Sequence, residues 1–360
     1  MRAAAPGGKL EATAPRALPT RDGRMPMVKP GPLDRLTPAQ LARLRSAPEQ
    51  DTAHPMLAVP SERRAFGAGW LFERKLDGVR LLAARRAGKV RLVSRTGQAA
   101  GGAYPELADA LDAQDCGDFT VDGEVVALSR GRTDFARLQQ RMQITDPAVA
   151  RASKVRVVYY LFDLLSLNGV DTTGLPLHTR KALLRDVLDL RPPLRFTTHR
   201  TGDAGALLDE ACARGWEGLV AKRADAAYVH RRSRDWLKLK CSTGQEFVVG
   251  GFTDPAGSRT GFGALLLGYF EDGLLRYAGK AGTGFSTAVL TALRHRLDGL
   301  EQRRSPFHDE VREKGAHWVR PELVAQIAFT EWTPAGRVRH PRYLGLREDK
   351  PAEEVVRERP

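Results

Sequence analysis

Glu73-Arg74-Lys75-Leu76-Asp77-Gly78-Val79-Arg80 is the stretch on which the reading of this chain turns. Apolar positions from Leu71 to Leu82 predict one strand and Lys89 to Val93 the next, bridged by Arg86-Ala87-Gly88. Taken alone, Asp77-Gly78 reads as a hairpin turn among solvated charges. A Lys-x-Asp-Gly-x-Arg match arises by chance in roughly one chain in a hundred at ordinary residue frequencies. A lysine just before a tight turn can also project its amine into a cleft. Cations or desolvation that lower its pKa then make it a nucleophile.

The companions of this segment follow in order. Ser94-Arg95-Thr96-Gly97 comes after the second strand. Val121-Asp122-Gly123-Glu124-Val125-Val126 sets a carboxylate within a predicted strand, Phe119 to Leu128. Tyr160-Leu161-Phe162-Asp163-Leu164 offers an aromatic within another, Val155 to Leu164. Glu217-Gly218-Leu219-Val220-Ala221-Lys222 adds a second carboxylate and a lysine. Trp236-Leu237-Lys238-Leu239-Lys240 places two lysines on one face of a strand. Singly, each has a plain alternative: Phe162 as core, and Lys238 and Lys240 as a solvated face. Glu124 and Glu217 lie in strongly apolar stretches, where an unpaired carboxylate is costly.

The chain has 360 residues, which predicts two domains. Its 57 Lys and Arg against 43 Asp and Glu give a net charge of +14, and an excess of that kind points to a polyanionic partner. Residues 1–32 are rich in Pro, Gly, Ala and Arg and predict disorder. A short helix follows, with Thr37 as N-cap and Pro38 at its first position. Asp203 caps a helix whose apolar face holds Leu207, Leu208, Ala211 and Cys212, ending at Gly215, so Cys212 reads as core. Residues 241–245 read as a linker. Beyond it, Glu246 to Thr253, Ala264 to Phe270, Leu274 to Ala278 and Leu323 to Trp332 predict strands. One helix, capped by Ser286, carries the stripe Leu290, Leu293, Leu297 and Leu300. Short strands with one helix suit a small, partly open barrel such as an OB-fold. Cys116, Cys212 and Cys241 are odd in number, far apart and without a CxxC, which excludes a disulfide framework or a four-cysteine zinc site and fits a reducing cytoplasm. No apolar run is long enough to span a membrane, and the start of the chain lacks a signal-peptide core.

Together and in this order, the segments resemble motifs I, Ia, III, IIIa, IV and V of the covalent nucleotidyltransferase superfamily: ATP-dependent DNA ligases, RNA ligases and mRNA capping enzymes. The resemblance runs from residue 55 to about residue 350. Trp318 to Ile327 and Arg339-His340-Pro341-Arg342-Tyr343-Leu344-Gly345-Leu346-Arg347-Glu348-Asp349-Lys350 look like the OB domain and motif VI of ATP-dependent DNA ligases, nearest to bacterial end-joining ligases. An NAD-dependent ligase is disfavoured, since that family carries a four-cysteine zinc module.

The resemblance implies an α+β fold. A basic, mostly disordered extension (1–53) precedes an adenylation domain of antiparallel sheets and helices (54–241), an OB-fold barrel (242–352) and a tail (353–360). It implies a DNA ligase that joins a 5′-phosphate to a 3′-hydroxyl through lysyl-AMP, with ATP and Mg²⁺ or Mn²⁺ as cofactors. Lys75 would be the nucleophile, its pKa lowered by metal, Lys238 and Lys240. Glu73 would help read adenine and Phe162 would stack on it. Arg80 and Arg95 would hold the ribose and later the nick phosphate. Glu124 and Glu217 would bind the metal, with Glu124 also facing the nucleotide. Lys238 and Lys240 would neutralise the α-phosphate, and Arg347 and Lys350 would reach the pyrophosphate when the second domain closes. Asp77 and Gly78 would be positional.

The partner implied is nicked or broken duplex DNA, met by a monomer in the cytoplasm at the nucleoid. Ku and a primase-polymerase are candidate protein partners. The segment 222–240 holds seven Lys and Arg against two acids, and its Arg231-Arg232-Ser233-Arg234 cluster reads equally as a DNA contact or a solvated loop. Two rivals share the framework: an RNA ligase or capping-type enzyme, disfavoured by the 318–332 and motif VI stretches, and a non-catalytic nucleic-acid-binding homologue, disfavoured by intact Lys75, Glu124, Glu217 and Lys238.

Overall fold

The predicted strand from Leu71 to Leu82 is two strands in two different sheets. Trp70–Arg74 belongs to one sheet and Val79–Arg86 to another, and Lys75 to Gly78 cross between them. The computed structural model describes residues 31–47, 54–129, 131–241, 244–257 and 259–358.

The first sheet runs, in spatial order, Arg45–Ser46, Val170–Asp171, Val157–Leu167, Phe119–Ser129, Val79–Arg86 and Lys89–Ser94, each neighbouring pair antiparallel. The hairpin closing its edge has Ala87 at φ 47° and Gly88 at φ 71°, the paired left-handed conformation of a tight two-residue turn. One face packs Leu81, Leu107, Phe119, Tyr159 and Leu184 into a continuous core with the flanking helices. The second sheet is smaller, ordered His199–Arg200, Trp70–Arg74, Gly218–Arg223, Arg232–Lys240 and Leu57–Pro60. Helix Ala204–Ala213 covers it with Leu207, Leu208 and Ala211. Asp203 caps that helix by accepting from the Ala206 amide at 3.0 Å, as the sequence predicts. A small cluster holding Leu82, Phe162, Tyr228 and Trp236 packs between the two sheets.

Beyond the linker, whose residues 242 and 243 lie outside the described residues, Gly244–Thr253 pairs along one edge with Leu265–Glu271. Along the other edge it pairs first with Val324–Ala328 and then with Ala316–Val319. One strand shared by two partners in succession curls the sheet toward a half-barrel, consistent with an OB-fold. Helix Thr287–Asp298 closes one side with Leu290, Leu293 and Leu297, while Leu300 lies past its end. The last predicted strand is shorter than expected, Val324–Ala328.

Two further expectations need correction. Residues 31–47 fold onto the first sheet: Leu36 is buried in its core and Arg45–Ser46 pairs with Val170–Asp171. The predicted disorder of 1–30 and 48–53 lies outside the described residues. Cys212 and Cys241 form a disulfide, with Cα atoms 5.2 Å apart. Sequence distance misled here, because the end of helix Ala204–Ala213 packs back onto the residue that follows Lys240. Cys116 is free. Among the described residues no helix is long and apolar enough to cross a membrane.

Candidate active site

The crossing between the sheets positions Lys75. Its backbone amide donates to the Gly218 carbonyl at 2.9 Å, extending the pairing of Trp70–Arg74 with Gly218–Arg223 by one residue. This brings Glu217 alongside, and Lys75 Nζ donates to Glu217 Oε1. Gly218 has φ 147°, and a Cβ there would stand 2.0 Å from the Leu239 carbonyl oxygen, so this neighbour of Glu217 must be glycine. Gly78 is fixed by close approach: a Cβ would meet the Val125 carbonyl oxygen at 2.2 Å. The positional role expected for Gly78 thus has a steric cause.

Burial alone would depress the Lys75 pKa. The charge and hydrogen bond of Glu217, helped by Asp77 and Glu124, outweigh it and raise the pKa above the ordinary lysine value. The two lysines alone thus do not lower it, contrary to that part of the expectation, because Lys238 and Lys240 are themselves engaged by a carboxylate, that of Glu358. Burial, with Glu217 beside it, pushes the Asp77 carboxyl up to about 6 against the pull of Lys75 and Arg347.

Deeper in the cavity, Glu73 is 2% exposed and accepts from Lys181 Nζ at 2.5 Å, and it pairs with Lys222 Nζ at 2.6 Å. Burial favours the neutral acid, but the two ammonium groups win and hold its pKa below the usual carboxylate range. Lys222 Nζ also stands 4.0 Å from the ring centroids of both Phe162 and Trp236, which meet edge to face. Arg80 lies 4.7 Å over the Phe162 ring and forks onto Asp122, with Nη2 donating to Oδ2 at 2.6 Å. Glu124 pairs in register with Arg80 on one side and Tyr160 on the other, and burial pushes its carboxyl up to about 8 despite Arg80, Arg347 and Lys75.

The opposite wall comes from the OB-like part. Arg347 forks onto Asp349, with Nη2 to Oδ2 at 2.8 Å, and Lys350 Nζ pairs with Glu246 at 3.2 Å. Arg95 pairs with Glu354, while Lys238 and Lys240, on one strand face as predicted, share Glu358 at 3.1 and 2.6 Å. Every side chain singled out from the sequence lines one cavity of about 770 Å³; only Gly78, which has no side chain to contribute, stands behind it. A buried aromatic slot, a row of cations and a lysine amine in one enclosure suit a purine nucleotide with its phosphates stretched past a nucleophile.

Comparison with known proteins agrees. Residues 53–240 match the model for the ATP dependent DNA ligase domain and residues 258–350 that for the ATP dependent DNA ligase C terminal region. The chain belongs to the ATP-dependent DNA ligase family. It is 42% identical over 300 residues to the "Multifunctional non-homologous end joining protein LigD" of Pseudomonas aeruginosa, covering 81% of this chain and 35% of that protein. It is 33% identical to a "Probable DNA ligase" of Streptomyces coelicolor, over 97% of this chain and 72% of that one. Among solved structures, "mycobacterial DNA ligase D complexed with ATP and MES" superposes with a TM-score of 0.62 at 36% identity, covering 85% of this chain and 98% of that chain. The chain thus spans well under half the length of the end-joining relatives it matches, 35% and 40% of two of them.

Within this family member, no group of three His, Cys, Asp or Glu converges as a metal cage among the described residues. Magnesium does not require one: it takes one or two carboxylates and completes its shell with phosphate oxygens and water. Glu217 Oε2 is buried without a hydrogen-bond partner, and Glu124 faces the same cavity, so the donor set fits a hard cation brought in with a nucleotide. Lys181, Glu246 and Glu358 carry no sequence signal as site residues, and Lys222 and Trp236 stand in the sequence only as members of their motifs. Lys181 sits on helix Leu177–Val187, where nothing local separates it from a solvated lysine.

Proposed function

We propose that this chain is an ATP-dependent DNA ligase of end joining, sealing 5′-phosphate/3′-hydroxyl breaks in duplex DNA through a lysyl-AMP on Lys75. The gathering of Lys75, both phosphate-facing lysines and the motif VI cations around one cavity carries this reading. Neutral Lys75 Nζ attacks the α-phosphorus of ATP, a P–N bond forms, and the bond to pyrophosphate breaks. The amine proton has a carboxylate to go to in Glu217, which already holds the Lys75 ammonium. AMP then passes to the 5′-phosphate of the break. Attack of the 3′-hydroxyl finally expels AMP. Each step is an in-line displacement, so positioning and charge neutralisation do the catalysis.

Phe162 and Trp236 would wall the adenine slot, and Glu73, fixed by Lys181 and Lys222, would read its edge. Arg80, held by Asp122, and Arg95 face the ribose and the nick phosphate. Lys238 and Lys240 face the α-phosphate, and Arg347 and Lys350 face the pyrophosphate. Glu124 and Glu217 would hold Mg²⁺ or Mn²⁺, which when bound neutralises phosphate charge. The adenylating part is residues 54–241, joined by the 31–47 segment packed on it, with the OB part over 242–352. The +14 charge suits a duplex gripped through its phosphates, and Ku or a primase-polymerase fits as a protein partner in end joining.

The test is incubation with α-labelled ATP and Mg²⁺ or Mn²⁺, then denaturing electrophoresis. Label should stay on wild-type protein and be absent from Lys75→Ala and from Lys75→Arg, whose guanidinium stays protonated. Persistent label on Lys75→Ala overturns the assignment.

A further inference from the structure

The chain that follows motif VI does more than pad the barrel. Its backbone is fastened to the OB part: the Phe270 amide donates to the Val355 carbonyl at 2.7 Å, Gln245 Nε2 to the Val356 carbonyl at 3.3 Å, and the Glu358 amide to Gln245 Oε1 at 3.0 Å. Val355 is fully buried in that part's core. From this anchored backbone two carboxylates reach across the cavity to the adenylating part. Glu358 Oε1 and Oε2 take Lys238 and Lys240, one each, and Glu354 takes Arg95.

Three cations, two from one strand and one from a turn, are thereby claimed by one five-residue stretch. The geometry is that of a dianion laid along a phosphate path. The Glu358 carboxylate bridges two ammonium groups two residues apart on one strand, as a phosphate with two free oxygens would. The lysine pair holds the Glu358 carboxyl at about 2 although burial works the other way, so it is charged at neutral pH.

We propose that residues 354–358 form an autoinhibitory anionic latch, in which Glu358 and Glu354 occupy the cations that nucleotide and nick phosphates would engage, so that phosphate entry requires the latch to leave. This rests on the reading of Lys238 and Lys240 as phosphate ligands. The latch is also one of the ties between the two parts, beside Gln139 Nε2 donating to the Leu346 carbonyl at 2.7 Å and Arg347 lying 4.9 Å over the Phe135 ring, so its release removes one of the contacts that hold the OB part in place. Apparent nucleotide affinity is then the intrinsic affinity reduced by the fraction of molecules whose latch is open.

The experiment uses the full chain with Glu354→Gln, Glu358→Gln and the double variant, which keep side-chain volume and remove charge. The probe is α,β-methylene-ATP with Mg²⁺, which cannot adenylate Lys75, and binding is measured at equilibrium. The double variant should bind it about 3- to 10-fold tighter than wild type, with each single variant between. In wild type, hydrogen exchange at the Phe270 and Glu358 amides should speed up when the probe binds. Unchanged or weaker binding by the double variant, or slower exchange on binding, overturns the latch. A parallel Lys238→Ala arm separates the two readings. If that variant binds the probe as wild type does, the phosphate assignment itself is wrong. If it binds more weakly while the glutamate variants change nothing, the latch alone fails.

Discussion

Lys75 and Glu217 stand 142 residues apart in the chain and share an ion pair inside the cavity. The amide of Lys75 bonded to the carbonyl of Gly218 makes that pair a consequence of strand pairing. Glu217 keeps the lysine charged, so it must yield before the amine can attack. Glu217→Gln retains the shape and removes the charge. Because the two side chains remain 18% and 26% exposed, the fold should lose about 1 kcal/mol or less, measured by urea unfolding. Lysyl-AMP formation should fall by about 100-fold, because the proton acceptor and metal-holding carboxylate proposed at this position are lost, which outweighs the easier deprotonation of the amine. Wild-type adenylation in Glu217→Gln would remove it from the chemistry.

Glu73 presents the opposite balance, since it and both of its lysines are almost wholly buried. Removing its charge strands two ammonium groups, which costs about 3–5 kcal/mol. Glu73→Gln should therefore be strongly destabilised at pH 7 by chemical denaturation. The sign with pH follows from a folded pKa held below the unfolded value near 4.5. The stabilisation is complete above that value and is lost as pH falls below it through the folded pKa. Wild type should lose more stability than Glu73→Gln between pH 6 and pH 3. Parallel curves for the two proteins would contradict the triad.

Much of this was legible in the sequence because catalytic motifs of this kind are local. Six short segments each pair a reactive side chain with the glycine or strand residues that aim it, as Gly218 does for Glu217. Helix caps such as Thr37 and Asp203 were equally legible, because each cap answers only to the next turn. What the sequence hid was long-range pairing between ordinary residues. Lys181 reaches Glu73 across 108 positions and Glu358 reaches Lys238 across 120, and neither has a local signature. The Cys212–Cys241 bond was missed for the same reason. Leu71 to Leu82 reads as one strand because alternation continues through Lys75 to Gly78 while the backbone changes sheets.

That change of sheets makes Gly78 a sensitive position. An added methyl would sit 2.2 Å from the Val125 carbonyl oxygen and 2.8 Å from Val126, both on the central strand Phe119–Ser129. Neither neighbour is a flexible side-chain end, so the loop carrying Lys75 must shift. Gly78→Ala should cost about 1–3 kcal/mol, the range for overpacking. Adenylation should fall by about 100-fold, the effect of a displacement near 1 Å at a reacting group. Thermal unfolding and single-turnover labelling would check the two effects, and normal labelling with normal stability would show that the strand can give way.

Arg347 and Lys350 allow the two chemical stages to be told apart. Both face the cavity from the OB part, yet each is held by its own neighbours there, Arg347 by Asp349 and Lys350 by Glu246. These carboxylates orient the cations and balance their charge without fixing them to the adenylating part. Were the OB part to turn away from Lys75, both would go with it, and Arg347 would leave the Phe135 ring of the adenylating part that it lies 4.9 Å over. Their proposed use is the pyrophosphate leaving group, which exists only in the first step. Binding interactions confined to one transition state lower the barrier of that step alone. Arg347→Ala and Lys350→Ala should each lose about 100-fold or more in lysyl-AMP formation, the scale of removing a charged group aimed at developing charge. Both should still seal a nick already carrying AMP on its 5′-phosphate, within about threefold of wild type, because no pyrophosphate leaves there. Lys238→Ala should impair both reactions, since the α-phosphate it faces is attacked in the first and departs as AMP, carrying the developing charge, in the last. Measuring the half-reactions separately in the three variants decides the matter. If Arg347→Ala and Lys350→Ala lost pre-adenylated sealing as completely as adenylation, their role would extend beyond the leaving group, and a domain that must swing away between steps would not describe this protein.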